Sequence, residues 1–390
     1  MTNLLVRTFV RDYQNTSDNK VRVAYGKLAS IVCILSNVLR CCGKMLAGTV
    51  FGSIAVFADG LNNLSDVSSN VISLVGFKLG SAPADSKHPY GHARYEYIAT
   101  LGVSVMILVI GLELLKESIM KLIYPEPVLF SWLTVAVLAA SILVKFWMSF
   151  FNRTLGTAID SDVLLATAAD SRNDVISTGA VLVSIFITAL TGWPWVDGLM
   201  GLGVAGFILF SGLGLVRDTL STLLGEAPEP GLVKHIEETV MTYPGVIGVH
   251  DLMVHDYGPG RRFAVLHLEM PAEQDALECH DLIDNIEKDF WVHDNILVTI
   301  HYDPVVTTDP HVAELRELLA REAREIDPAY TIHDLRIVPG KTHTNVLFDC
   351  VVPPETKRTH AEIRQSLQDA LEKRFPDHRC VIKVEYSYTG

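Results

Sequence analysis

A chain of 390 residues that is 49% hydrophobic, with a mean hydropathy of +0.28, is too apolar for an ordinary soluble protein. Its formal net charge of −13 argues against nucleic acid as a partner. Six cysteines, none in a C-x-x-C pair, indicate neither a disulfide framework nor a thiolate zinc site.

The N-terminal segment, residues 1–24, is polar and holds Arg7, Arg11, Lys20 and Arg22, which reads as a cytoplasmic tail with no cleavable signal peptide. A spanning helix needs about 20 apolar residues. Six stretches qualify, at roughly 27–49, 52–79, 96–122, 129–151, 158–191 and 195–222, with edges good to a few residues. An even count puts both termini on one side. Lys87 and Arg94 lie between the second and third spans, whereas TGWPW near 191–195 is free of basic residues and carries interfacial tryptophans, so the termini are expected in the cytoplasm. Lys116 and Lys121 run against this bias.

Four polar side chains interrupt the second and fifth spans as two pairs. Asn62 and Asp66 are spaced i, i+4, as are Asp170 and Asp174, so each pair presents its oxygens on one helix face. A charged side chain at mid-membrane costs about 2.5–3.5 kcal/mol. Three carboxylates and an amide meeting there call for a divalent cation, and oxygen-only ligation suits Mn²⁺, Mg²⁺ or Ca²⁺ better than Zn²⁺. Emptied, the site holds three like charges whose proton affinities rise and couple. Metal entry then expels protons and proton entry expels metal, which is antiport. The plain alternative is that these residues only glue helices together. Asp59, seven residues before Asp66, reads as a buried hydrogen-bonding group rather than a ligand or gateway residue.

The loop after the second span reads Asp85-x-x-His88-Pro-Tyr-Gly-His92, a carboxylate and two imidazoles able to make a small metal site or a purely structural turn. Beyond the sixth span, GEAPEPG at 225–231 starts a linker. An internal repeat follows, about 80 residues long, anchored by His250-Asp251-Leu252 and His333-Asp334-Leu335. Each copy reads helix, strand, strand, helix, strand, an order that gives a small open sheet with helices on one face. In the first copy His250, His267, His280, His301 and Asp303 form a candidate Zn²⁺-type cluster. His333, Asp349, His360 and Glu385 are their counterparts in the second copy, where polar side chains facing water are the readier explanation and a further metal site the alternative.

These residues converge on a known family. GSIAVFADGLNNLSD in the second span, DSRND in the fifth, HPYGHARYEYIA in the loop, and VHDL, HLEM and IHYDP in the first repeat together resemble the cation diffusion facilitators, proton-coupled exporters of divalent metals, over about residues 25–305. The resemblance implies a six-helix transmembrane α-helical domain (25–222), an α+β ferredoxin-like cytoplasmic metal-binding domain (223–306), duplicated here as a second ferredoxin-like repeat (307–390), and a homodimer working by alternating access. It also implies that metal in the cytoplasmic domain helps hold the dimer. Zinc-carrying members place His or Asp first in each pair, whereas the Asn-Asp-Asp-Asp set is similar to that of manganese exporters. The expectation is a Mn²⁺ exporter of the plasma membrane, driven by inward proton flow and not an enzyme. Zn²⁺ or Fe²⁺ is the rival cargo. An intramembrane aspartyl protease would need one acid on each of two helices, and a non-transporting metal sensor or scaffold would leave the membrane quartet without a task.

Overall fold

A computed structural model describes the backbone of residues 2–16, 18–50, 54–125 and 132–388; the side chains of Asp59, Asn62 and Asp66 lie outside the described residues. The chain divides into two compact units, Met1–Glu226 with Tyr257–Gly260, and Ala227–Asp256 with Arg261–Gly390.

The first unit is helical: α1 (Thr2–Phe9), α2 (Asn19–Val50), α3 (Ile54–Gly80), α4 (Tyr95–Ile123), α5 (Trp132–Ala158), α6 (Asp162–Thr191) and α7 (Trp195–Leu224). Among the described residues five helices are long and apolar enough to cross a membrane, and the described side chains of α3 add a shorter apolar stretch, Val67–Gly80. The lengths follow from composition, because runs this apolar without proline favour an unbroken helix. α2 packs along α3, α4 along α7 and α5 along α6, and α3 also touches α6 directly. Where α2 crosses α3, the Phe77 ring occupies the place a Cβ at Gly26 would take, so only glycine permits that approach. Phe77, Val103, Ile107, Met148, Phe151 and Leu164 fill the interior, while Leu112, Phe146, Leu190 and Phe210 point outward, the reverse of a water-soluble bundle.

Two expectations change here. The segment read as a polar tail contains α1, and Val6 and Val10 join the buried core of the helical unit. The turn between α5 and α6 is short, residues 159–161, because α5 continues to Ala158 instead of ending near 151. Arg22 fixes this end. Its guanidinium pairs with Glu96 at 2.6 Å and donates to the carbonyls of Ile159 (2.9 Å) and Asp160 (3.1 Å).

The second unit holds two copies of one αββαβ motif. The first is α8 (Pro230–Val240), β1 (Gly248–Asp256), β2 (Arg262–Pro271), α9 (Ala276–Asp289) and β3 (Ile296–Val305). The second is α10 (Pro310–Ile326), β4 (Thr331–Pro339), β5 (Thr344–Val352), α11 (His360–Arg374) and β6 (His378–Tyr386). Each sheet has three strands, with the middle one antiparallel to the first and parallel to the third. Alternation sorts the faces. Ala264, Leu266, Leu268 and Met270 of β2 pack with Ile236, Val240, Ile283 and Ile286 of the helices. His267 and Glu269 therefore lie on the helix-free face. Val346, Phe348, Cys350 and Val352 do the same in the second copy, leaving Asp349 on its free face. Asp275, Asp309 and Thr359 cap α9, α10 and α11, the last through a capping box with Glu362.

Both copies carry the same irregularity. The register shifts after His250 in β1 and after His333 in β4, and the next residues, Asp251 and Asp334, sit at φ of 51° and 50°. Aspartate tolerates the left-handed region better than most residues, and a bulge there re-aims the neighbouring side chain.

Candidate metal centres

Within the helical unit α6 brings Asp170 and Asp174 one turn apart. Asp170 is buried and accepts a hydrogen bond from Ser69 Oγ of α3 at 3.2 Å. One turn further along both helices, Ser73 and Thr167 hydroxyls lie 2.9 Å apart. Ser69 follows Asp66 by three positions in the sequence, the i, i+3 spacing of one helix face. Asp174 pairs with the ammonium of Lys145, a buried residue of α5.

Asp170, Asn173 and Asp174 line a cavity of 240 Å³ together with Glu113 and Glu117 of α4. Asn173 is 4% exposed, and neither its carbonyl oxygen nor its amide nitrogen has a hydrogen-bond partner. The two glutamates escaped the sequence reading although their i, i+4 spacing inside a span is the same signal that marked Asp170 and Asp174. In the sequence this stretch is marked only by Lys116 and Lys121, which run against the charge bias.

The loop triad is assembled. His92 Nε2 lies 3.4 Å from Asp85 Oδ2 and 3.1 Å from His88 Nδ1, and Asp85 Oδ1 lies 3.4 Å from that same His88 nitrogen. Asp85 also accepts from the backbone N–H groups of His88 (2.7 Å) and Lys87 (2.8 Å), which, with the His88 bond foremost, hold its carboxyl below the usual range. Asp85 and His88 are exposed, so water competes for any ion held there.

In the first repeat His250 stands opposite His267, His267 opposite His301, and Glu269 opposite Asp303. Asp303 Oδ2 lies 2.9 Å from His267 Nδ1 and 3.2 Å from His250 Nε2, and its Oδ1 lies 3.3 Å from His301 Nε2. His250 is 6% exposed, and neither ring nitrogen completes a hydrogen bond. Burial pushes its pKa down, but Asp251 and Asp303 outweigh burial and raise it to about 9. Once it gives up the extra proton, this buried imidazole among carboxylates belongs to a donor set that fits a cation, the metal taking the proton's place. His280 departs from the expected set. It sits on α9 with an exposed side chain near Asp284, at 3.9 Å, because its place on the helix turns it away from the free face of the sheet.

The second repeat does not gather its own counterparts into one cluster. His333 stacks on His250, Asp349 and Glu385 converge with Asp251, and His360 packs on Tyr386. Burial raises the carboxyl of Asp349, with Lys383 opposing it.

Comparison with known proteins matches residues 30–224 to the cation efflux transmembrane domain and residues 228–305 to the cation efflux protein cytoplasmic domain. An uncharacterized transporter of Methanocaldococcus jannaschii is 31% identical over 277 residues, which covers 68% of this chain and 97% of that protein. The cation-efflux pump FieF of Salmonella paratyphi A is 30% identical over 272 residues, covering 68% of this chain and 88% of the pump. FieF of Salmonella newport is 29% identical over 289 residues, covering 72% and 94%. Helices α10 and α11 and strands β4, β5 and β6 all lie beyond the matched domains.

Proposed function

The chain belongs to the cation efflux family, and from that premise we propose that it exports a divalent metal from the cytoplasm, Mn²⁺ first, in exchange for protons. A cation efflux transporter of this family is a multi-pass membrane protein and not an enzyme.

The observation that carries the reading is the pair Asp170 and Asp174, set one helical turn apart on α6 and facing one cavity with Glu113 and Glu117. Asn62 and Asp66, on α3 in the sequence reading, would complete an all-oxygen set, which favours Mn²⁺ over Zn²⁺. Zn²⁺ and Fe²⁺ are the rival cargoes of the same machine.

The residues divide the work. Asp170 and Asp174 take the ion and, once it leaves, take protons, since like charges in a poorly solvated cavity cannot all stay ionised. Lys145 supplies Asp174 with a counter-charge while no ion is bound, so an arriving dication displaces an ammonium rather than meeting a bare carboxylate. Glu113 and Glu117 extend the acidic lining along α4, away from the end held by Arg22. In this reading both termini are cytoplasmic, the membrane is the plasma membrane, and two chains form a homodimer that alternates access. The His88 loop and the sheet cluster hold metal on the cytoplasmic side and tune rate.

The test is flux in reconstituted vesicles with Mn²⁺, Zn²⁺, Fe²⁺ and Co²⁺ under an imposed pH gradient. Mn²⁺ uptake that collapses with the gradient is the expected result. Mn²⁺ flux indifferent to the gradient would sink proton exchange, and preference for Zn²⁺ would sink the argument from donor hardness.

A further inference from the structure

We propose that the second repeat completes, within the same chain, a divalent-cation centre that the first repeat begins, by contributing His333 alongside His250 and Glu269. One donor atom from each of these three residues lies within 4.8 Å of the other two. Glu269 Oε1 lies 3.7 Å from His333 Nδ1 and 3.9 Å from His250 Nε2. Donors in a tetrahedral shell at about 2.1 Å from a zinc ion stand roughly 3.4 Å apart, so these donors are near ligating separation, and the two stacked rings must rotate to turn both lone pairs onto one ion. Two imidazoles and one carboxylate are borderline ligands, of the class that takes Zn²⁺ or Co²⁺.

Three independent features point the same way. His250 is buried, and both its nitrogens lack a hydrogen bond while carboxylates flank it, Asp251 at 3.7 Å on one side and Asp303 at 3.2 Å on the other. His333 is already oriented. Its Nε2 is 2.9 Å from Thr331 Oγ1, and a proton on Nε2 leaves the Nδ1 lone pair towards Glu269, the outer-shell arrangement that fixes ligating histidines. Glu269 is held as well, because its Oε1 accepts from the backbone N–H of Asp334 at 3.3 Å.

The duplicated bulge explains how the pieces meet. Asp251 and Asp334 adopt the same left-handed turn, each re-aiming the histidine before it, and the two rings stack at 4.5 Å with 16° between their planes. Around them come Asp303 from the first repeat and Asp349 and Glu385 from the second, with Lys383 the near ammonium at 2.6 Å from Glu385. Arg336 pairs with Asp334 at 3.1 Å, and the carboxylates drawn together from both repeats still outnumber these two cations, a surplus that a shared metal ion would offset. The inference rests on the metal-holding reading of the first-repeat cluster and not on transport.

The test is Zn²⁺ affinity of the full chain in detergent, stripped with chelator and titrated in competition with a chromophoric zinc indicator. His333→Ala and Glu269→Gln are each expected to weaken by at least ~tenfold the same site that His267→Ala weakens, while His360→Ala leaves it unchanged. Glu269→Gln keeps the acceptor for the Asp334 N–H, so it decides the matter should His333→Ala lose its monodisperse fold. Wild-type affinity in Glu269→Gln and His333→Ala, with loss in His267→Ala, would confine the centre to the first repeat and overturn the proposal. Wild-type affinity in all three would overturn it together with the first-repeat site, and neither result bears on metal flux.

Discussion

The cavity among the membrane helices and the cluster on the cytoplasmic sheet are both built to attract cations, but from different donors. The chain has 14 histidines, and every one lies outside helices α2 to α7. The cavity offers carboxylates, an unpartnered amide and, at Asp174, a neighbouring ammonium. The sheet offers His250, His267, His301 and His333 with Asp303 and Glu269. Oxygen donors bind soft and borderline ions weakly and exchange them readily for protons. Imidazoles hold such ions more tightly. Under the proposed function, passage and retention would fall to separate regions with different side-chain chemistry.

The largest expected effect separates the two outright. Asp174→Ala should cut metal flux in vesicles to below about 1% of wild type while zinc binding by the sheet cluster persists. Equal loss of both would mean the regions are not independent. Next, His250→Ala should weaken zinc binding to the purified protein by about 10–100-fold and leave the order of transported ions unchanged. A reordered series would move selection to the sheet. Asn62→His brings an imidazole into the oxygen-only region and should shift the Mn²⁺/Zn²⁺ flux ratio towards zinc by about tenfold, worth roughly 1.4 kcal/mol of discrimination. An unchanged ratio would show that donor type does not choose the cargo. The smallest effect belongs to Glu117→Gln. Removing one charge from the cavity wall should slow flux by roughly two- to fivefold through a lower local ion concentration, and high salt should shrink the difference.

Much of the architecture was visible in the residues themselves. Apolar runs of spanning length located the long helices, and His-Asp-Leu recurring once located the duplicated αββαβ motif, because both signals depend only on local spacing. The helix α1 was hidden by polar neighbours; its two buried valines make no periodic stretch. Arg22 was read as part of a basic tail, since nothing near it in the chain announces Glu96, 74 positions away. Lys145 with Asp174 was hidden for the same reason. Glu113 and Glu117 were legible by spacing and were passed over beside two lysines. His280 entered the cluster by residue type alone, and helix phase removes it. The junction of the two repeats lay beyond the sequence because it depends on which sheet faces meet, and strand alternation says only that each has a free face.

The guanidinium of Arg22 fastens the beginning of α2 to the beginning of α4 and to the backbone turn that joins α5 with α6. Removing one partner of such a buried pair costs about 3–5 kcal/mol. In the proposed alternating access, a tilt of α6 that reshapes the space beside Asp170 and Asp174 is expected to pivot about this clasp, as a lever swings about its pin. The greatest excursion is then expected at the opposite tips, near Thr191 and Trp195, and the least at the knot itself.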